Sequence, residues 1–181
     1  ETLNRSFSQV SRQLAEVYKG LGEMQTLAAG VGDLKKVLSN VKTRGILGEI
    51  QLGAILQELL TPDQYAENIA TRPGSTQRVE FALKLPGDGE QPVWMPIDAK
   101  YPADAYEALL DAYDTADPAQ VDAAAKELDR RVRSFAKDIH DKYIEPPATT
   151  DFGVMFLPVE GLYAEVVRRG TAQRIQQDYK V

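Results

Sequence analysis

Two short segments in the middle of the chain alternate between apolar and polar residues. In Arg78–Leu85, and again in Pro92–Lys100, apolar side chains occupy every second position over most of the run. A period of two is typical of a β-strand that buries one face. The sequence Pro86-Gly87-Asp88-Gly89 lies between the two segments and favours a tight reversal of the chain. We therefore predict a hairpin, which requires a fold built on a sheet.

Further strands and helices are expected on both sides of this hairpin. Gln64–Thr71 is a weak strand candidate, whereas Phe152–Leu157 is apolar throughout, as a central strand would be. Ile46–Leu60 is apolar around most of a helical circumference and is expected to be a buried helix. More helices are predicted at residues 103–116, 119–143 and 161–169, the second of which starts with an N-cap and proline at Asp117-Pro118. The order α-β-β-β-α-β, with one inserted helix, predicts a mixed α/β sheet.

The first forty residues carry a heptad pattern. Apolar residues alternate at spacings of four and three: Leu3, Phe7, Val10, Leu14, Val17, Leu21 and Met24. The pattern resumes out of step at Leu27, Val31, Leu34, Leu38 and Val41, which indicates a break near residues 28–32. We predict that residues 1–43 form a coiled-coil arm that pairs with another chain, and that residues 44–181 form a separate α/β domain. An ordinary amphipathic helix that packs on its own domain is the alternative.

Composition limits the chemistry that is available. The chain of 181 residues has no cysteine and one histidine, His140, which excludes disulfides, thiol nucleophiles and multi-histidine metal centres. Any metal must therefore bind to carboxylates, which points to magnesium, manganese or calcium. A 43% apolar content argues against disorder, and no apolar run approaches the roughly 18 residues that a membrane span needs. The chain begins at Glu1 rather than at a methionine, and we interpret it as a fragment.

Two acids and a lysine are expected to meet on the hairpin. Asp98 and Lys100 lie two residues apart on one strand and Glu80 lies on the other, on the face opposite the apolar side chains. Two carboxylates, a backbone carbonyl from Ala99 and waters would suit Mg²⁺ or Mn²⁺. The metal would activate a water and neutralise phosphate charge, and Lys100 would orient that water or stabilise negative charge.

The acid-x-lysine spacing is weak evidence by itself. It occurs three times, at Asp33–Lys35, Asp98–Lys100 and Asp178–Lys180. Only the middle pair ends an apolar strand and follows a second strand that carries an acid. A solvated strand end with an ordinary ion pair is the alternative interpretation.

Glu49 is a third acidic candidate. It interrupts an apolar helix next to Gly45 and Gly48, and glycines permit a close approach of the backbone. It could complete the metal shell or take part in catalysis. Alternatively, an acid in the first turn of a helix complements the helix dipole.

The overall charge is acidic, so contact with DNA would depend on local basic patches. The chain has 21 basic and 27 acidic residues, a net charge of −6. On the helix at 119–143, an arc of about 80° collects basic side chains, and these form the basic ridge: Lys126, Arg130, Arg133, Lys137 and His140. Four acids of this helix, Glu127, Asp129, Asp138 and Asp141, lie outside that arc. We predict that Lys126, Arg130, Arg133 and Lys137 contact DNA phosphates; a solvated face is the alternative.

Several blocks of residues between about 35 and 170 carry a recognisable pattern. They are Lys42-Thr43-Arg44-Gly45, Gly48-Glu49, Val79-Glu80-Phe81, Leu85-Pro86, Pro96 through Pro102, Lys142-Tyr143-Ile144 and Asp151 through Tyr163. In this order they resemble the RmuC family of bacterial DNA recombination proteins. One position departs: many relatives have Pro-Asp where Val79-Glu80 stands. Glutamate is one methylene longer and is still a competent metal ligand.

The resemblance implies a fold and a set of roles. It implies a restriction-endonuclease-like core of the PD-(D/E)xK type, preceded by a long coiled coil. It places Glu80 at the second-strand acid, Asp98 and Lys100 at the (D/E)xK pair, and Glu49 at the helix acid. Full-length members have an N-terminal membrane anchor, which would place the parent protein at the cytoplasmic side of the bacterial inner membrane.

The leading hypothesis is a DNA-recombination domain with metal-dependent nuclease chemistry on a coiled-coil stalk. Glu80, Asp98 and the Ala99 carbonyl would hold Mg²⁺ or Mn²⁺, with Lys100 and Glu49 in catalytic roles. DNA is the expected partner, together with a second copy of the chain through the arm. A non-catalytic DNA-binding or scaffolding module that keeps the nuclease fold is the alternative, and an assembly protein that acts through its stalk is a third.

Overall fold

The computed structural model describes residues 41–87, 89 and 91–181, of which Arg44–Val181 form one compact unit. Within these residues the chain forms helices and strands in this order: α1 (Val41–Leu59), β1 (Tyr65–Ile69), β2 (Val79–Leu85), β3 (Val93–Ala99), α2 (Ala103–Thr115), α3 (Pro118–Tyr143), β4 (Val154–Phe156), α4 (Glu160–Arg168) and α5 (Thr171–Tyr179). The heptad pattern and the predicted arm lie outside the described residues, apart from the start of α1.

The strands form one mixed sheet in the order β1-β2-β3-β4. β1 pairs antiparallel with β2, and β2 with β3, whereas β3 and β4 run parallel. The antiparallel pairing of β2 with β3 sets Phe81 opposite Ile97. The prediction of an α/β fold with a mixed sheet is therefore confirmed.

Helix α1 packs against one face of the sheet. Its buried Leu52 and Leu56 contact Phe81 and Ile97, which alternate onto that face of β2 and β3. A Cβ added at Gly53 would lie 3.1 Å from Cζ of Phe81, so the glycine allows the helix to sit close to the ring. This layer covers the apolar side of the hairpin.

The second apolar cluster lies between α2, α3 and the two C-terminal helices. Leu109 of α2 and Leu128 of α3 are fully buried there, together with Leu162 of α4. Asp117 caps α3 as predicted, because its side chain accepts a hydrogen bond of 2.9 Å from the Ala119 N–H. This cluster packs α3 against α2, α4 and α5, and Met155 of β4 lies against it.

Helix α1 is less buried than its composition suggested. Large apolar side chains on its outer side are exposed, with Ile46 at 48%, Ile50 at 60% and Leu59 at 72%. The prediction of a buried helix was wrong, because among the described residues α1 packs on the sheet along one stripe, through Leu52 and Leu56. Apolar content on all sides of a helix does not by itself supply a second packing partner.

The C-terminal part of the chain differs from the prediction in two ways. Strand β4 has three residues rather than six, since it pairs with β3 only at Val154–Phe156. Helix α5 was not predicted. It begins after Gly170, which adopts a φ of 71° and separates it from α4. Its apolar signal in the sequence is weak, since Ile175 and Tyr179 are its large apolar residues among polar neighbours. In the described part of the chain, no helix is both long and apolar enough to cross a membrane.

Truncation of a buried leucine on α3 should test how much this core contributes to stability. Leu128 is 1% exposed, so Leu128→Ala should lower the free energy of unfolding by about 2–5 kcal/mol through lost contacts and a cavity. Leu110, which is 44% exposed on α2, offers the same chemistry at the surface, and Leu110→Ala should stay within about 0.5 kcal/mol. Urea unfolding measures both. Equal losses in the two variants would show that this cluster is not the core.

Candidate functional site

The candidate site lies where β3 ends. Glu80 is near the start of β2, Asp98 is in β3, and Lys100 follows β3 directly. Because Phe81 pairs with Ile97, the next pair along the two strands is Glu80 and Asp98, and their side chains share the face away from α1. The hairpin therefore brings together the residues that the sequence analysis selected.

Glu80 is held in place by a backbone donor. Its Oε2 accepts a hydrogen bond of 2.8 Å from the Ala99 N–H. Burial raises the pKa of Glu80 to about 7, and the charges of Asp98 and Glu49 act in the same direction, while the Ala99 N–H and Lys100 oppose them. A large fraction of Glu80 therefore carries a proton at neutral pH when no cation is present.

Asp98 is more deeply buried, with 2% of its surface exposed. Its Oδ2 forms an ion pair with Nζ of Lys100 but has no hydrogen bond of ordinary geometry. Burial raises the pKa of Asp98, and the positive charges of Lys100 and Lys142 oppose the rise. A buried carboxylate is costly in a folded protein unless it is paired, and Lys100 provides that pairing here.

Lys100 is fixed on two sides. Its backbone N–H donates a hydrogen bond of 2.9 Å to the Phe156 carbonyl of β4. Its ammonium group lies 6.0 Å from the centroid of the Phe135 ring on α3. The side chain is 25% exposed, so it stands between the buried Asp98 and solvent. This position allows Lys100 to reach a ligand that approaches Asp98 from outside.

Glu49 reaches the same end of the sheet from α1. A Cβ added at the neighbouring Gly48 would lie 3.6 Å from Cβ of Ala99 and 3.3 Å from Cγ of Pro158, so the helix runs close to the end of β3. Glu49 is exposed, yet its charge raises the pKa of both Glu80 and Asp98. It lies two turns inside α1, whose first turn contains no acid, and the helix-dipole interpretation does not apply.

Two residues of α3 belong to this site and were missed as candidates. Lys142 lowers the pKa of Asp98, and Tyr143 has its own pKa raised to about 12 by burial and by Asp98 and Glu80. The Tyr143 hydroxyl therefore remains protonated at neutral pH. In the sequence these residues were only part of a block that resembled a family. No spacing rule connects them with a strand more than forty residues away.

The donor atoms at the site are of the type that a hard divalent cation prefers, but they would surround it only in part. Among the described residues, no group of three or more His, Asp and Glu side chains is placed to hold a metal. Mg²⁺ commonly binds through one or two carboxylates, with waters and substrate phosphates as the remaining ligands. Asp98, Glu80 and the Ala99 carbonyl offer such a donor set, and a cation there would favour the ionised carboxylates.

The basic side chains of the ridge on α3 have acidic partners in the structure. Each of its four predicted DNA contacts is ion-paired: Lys126 with Asp122, Arg130 with Glu127, Arg133 with Asp178 and Lys137 with Asp141. These ion pairs form because long side chains reach acids one turn away or on α5, and contact with DNA through the ridge stays a prediction. Lys126 also lies about 180° around the helix from Phe135, which faces the site. The ridge and the candidate site are thus on opposite sides of α3.

The aromatic residues near the site serve mainly as packing. Tyr106 is 8% exposed and belongs to the second apolar cluster. Tyr101 packs against it with ring centroids 6.4 Å apart in an edge-to-face arrangement, and Trp94 is half-buried on β3. At these positions the three rings contribute to the core and its rim.

Comparisons with known proteins relate this chain to one family. A family model described as the RmuC family matches residues 1–181. Two curated relatives from Xylella fastidiosa, strains Temecula1 / ATCC 700964 and 9a5c, are each named DNA recombination protein RmuC homolog and are 53% identical over 182 residues. The match covers 99% of this chain and 40% of each relative, so the chain spans less than half of their length. No solved structure matches the chain.

The raised pKa of Glu80 predicts how stability depends on pH in metal-free protein. Between pH 4.5 and about 7 the folded state binds more protons at Glu80 than the unfolded state does, so this residue lowers stability as the pH rises through that window. Glu80→Gln should therefore gain stability relative to wild type from pH 4.5 to about 7. Urea unfolding in a chelator measures this, with Glu67→Gln on the exposed side of β1 as the control. Parallel pH profiles for wild type and Glu80→Gln would contradict the assignment.

Proposed function

Because the chain belongs to the RmuC family, we propose that it is a DNA-recombination domain whose Glu80–Asp98–Lys100 site hydrolyses DNA phosphodiesters with a divalent cation. The relatives carry the name of DNA recombination proteins, which supports the process but not the chemistry. The observation that carries the chemistry is Asp98, a buried carboxylate whose Oδ2 forms an ion pair with the partly exposed ammonium group of Lys100.

The proposed division of roles follows from what each side chain contacts. Asp98 and Glu80 would hold Mg²⁺ or Mn²⁺, together with the Ala99 carbonyl. When bound, the cation supplies Lewis-acid stabilisation of the phosphate and a water of lowered pKa. Lys100, beside Asp98 and one-quarter exposed, is placed to orient the attacking water or to stabilise negative charge on the phosphate. Glu49 would accept a proton or bind a second cation from the outer side.

Tyr143 contributes as a neutral hydrogen-bond donor. Its raised pKa keeps the hydroxyl protonated beside two carboxyl groups. A hydroxyl in that position can donate to a carboxylate and orient it, without adding charge to the site. Tyr143 is therefore a positioning residue in this proposal. Its main-chain carbonyl accepts a hydrogen bond of 2.7 Å from Oγ1 of Thr71, which fixes the end of α3 against the loop after β1.

A non-catalytic DNA-binding or scaffolding module is the second candidate. The observation in its favour is that Lys100 already pairs with Asp98, while burial raises the pKa of both carboxyl groups. Such a site could be a neutral, stable ion-pair cluster that needs no cation. Calorimetric titration with Mg²⁺ and Mn²⁺ distinguishes the two, because a scaffold shows no saturable binding that depends on Asp98.

Assembly and location form a separate part of the proposal. We propose that residues 1–43, which lie mostly outside the described residues, pair with a second copy of the chain. We further propose that the parent protein is tethered at the cytoplasmic side of the bacterial inner membrane. Light scattering on the chain with and without residues 1–40 tests the first point, since a monomeric mass for both would contradict pairing through the arm.

The nuclease proposal predicts a specific loss when Asp98 is removed. Wild-type crystals soaked in Mn²⁺ should show anomalous density between Glu80 and Asp98, and purified protein should cleave DNA in Mn²⁺. Asp98→Ala should lose both, because a principal oxygen ligand is gone. Asp98→Asn keeps the shape of the side chain, so it separates loss of the metal ligand from misfolding. Asp111→Ala, at an exposed position on α2, is the matched control. Wild-type protein that neither binds Mn²⁺ nor cleaves duplex, branched or single-stranded DNA would contradict the proposal.

A further inference from the structure

One face of α3 is directed at the candidate site. Phe135 marks that face, since its ring lies 6.0 Å from the Lys100 ammonium group. Seven residues of an α-helix make almost two turns, so Lys142 lies within about 20° of Phe135 around the helix and about 10 Å further along it. Asp138 lies between them on the same side. Lys142 is thus on the side of α3 that faces the end of β3.

The ammonium group of Lys142 is only loosely held. It lies 3.3 Å from Oδ2 of Asp138, one turn earlier, and the two side chains are 41% and 51% exposed. Charge-assisted hydrogen bonds are usually shorter, at about 2.7–2.9 Å, and exposed pairs of this type are weak. Lys142 can therefore exchange Asp138 for a stronger anionic partner at little cost. Its effect on the pKa of Asp98 agrees with a location beside the site.

The acidic side chains of the site make a positively charged side chain necessary for binding a nucleic-acid phosphate here. Glu49 and Asp98 would repel a nucleic-acid strand, and Lys100 is already paired with Asp98. A strand that reaches Asp98 also cannot be held there by the basic ridge, which lies on the opposite side of α3. A lysine is well suited to a phosphate, because it acts as a mobile point charge without a base-specific donor pattern.

We propose that Lys142 binds a phosphate of the nucleic-acid strand that lies across the Glu80–Asp98 site. This inference rests on the proposed function, since it names the path by which the substrate enters that site. Lys142 positions the backbone next to the scissile phosphate and reads no sequence. The effect of its removal should be similar for unrelated DNA sequences.

Binding measured against salt concentration tests this inference. Fluorescence anisotropy of labelled duplex and single-stranded DNA would be followed in Ca²⁺, which takes the same oxygen ligands as Mg²⁺. Lys142→Met should weaken binding and reduce the salt slope by about 0.9 for duplex DNA or 0.7 for single strands, as expected for one lost phosphate contact. Lys142→Arg should restore the slope. Lys84→Met, an exposed lysine about 13 Å from Glu80 along β2, should leave the slope unchanged.

Lys126→Met is the competing variant, because Lys126 also pairs with an aspartate four residues earlier but lies on the ridge. A slope reduced by Lys126→Met and not by Lys142→Met would overturn the inference and place DNA on the ridge. In another outcome, Lys142→Met keeps the wild-type salt slope, cleavage and Mn²⁺ binding. That outcome would overturn the inference and leave the nuclease proposal intact. If wild type binds no Mn²⁺ while Lys142→Met still lowers the slope, the nuclease proposal fails and the phosphate contact stands. Wild type that does not bind DNA would overturn both.

Discussion

The antiparallel pairing of β2 with β3 is the interaction on which the rest of the structure depends. Its register sets Phe81 opposite Ile97, and side chains alternate strictly along both strands. One face therefore presents aromatic and aliphatic side chains to α1, while the other carries Glu80 and Asp98, whose charges act on Tyr143 at the end of α3. A slip of one residue would exchange these faces, exposing the apolar side chains and burying the acids against α1. The core and the candidate site are consequently fixed by the same hydrogen bonds.

Ionising both carboxyl groups of the candidate site is electrostatically unfavourable. Asp98 is buried and Glu80 is half-buried at neighbouring strand positions, so the two carboxyl groups resist ionisation together, and burial dominates the pKa shift of each. The Ala99 N–H and Lys100 relieve part of that cost. An arrangement that only served stability could use apolar residues of similar volume instead. The retained charges are therefore the feature that the proposal of a cation and a phosphate ligand explains.

Helix α3 separates two kinds of surface that look alike in the sequence. Its basic ridge is neutralised by Asp122, Glu127, Asp141 and, across the interface with α5, Asp178. Its opposite side carries Phe135 and Lys142 toward the end of β3. The number of basic residues on α3 thus pointed to the ridge. The side of α3 that faces the candidate site has fewer basic residues, and its Lys142 is less tightly ion-paired. Orientation of the helix, rather than its charge density, decides which lysine can reach a substrate.

The sequence by itself determined the elements with strong periodicity and close spacing. Alternation in Arg78–Leu85 and Pro92–Lys100 was enough to predict both strands, and a two-residue spacing was enough to put Asp98 and Lys100 on one side. Tertiary structure decided what depends on distant partners: the exposure of Ile46 and Ile50 on α1, the shortness of β4 and the arrival of Lys142 and Tyr143 beside Asp98. Local patterns record which side of an element is apolar. They do not record which other element covers that side, because packing joins residues that are far apart in the chain.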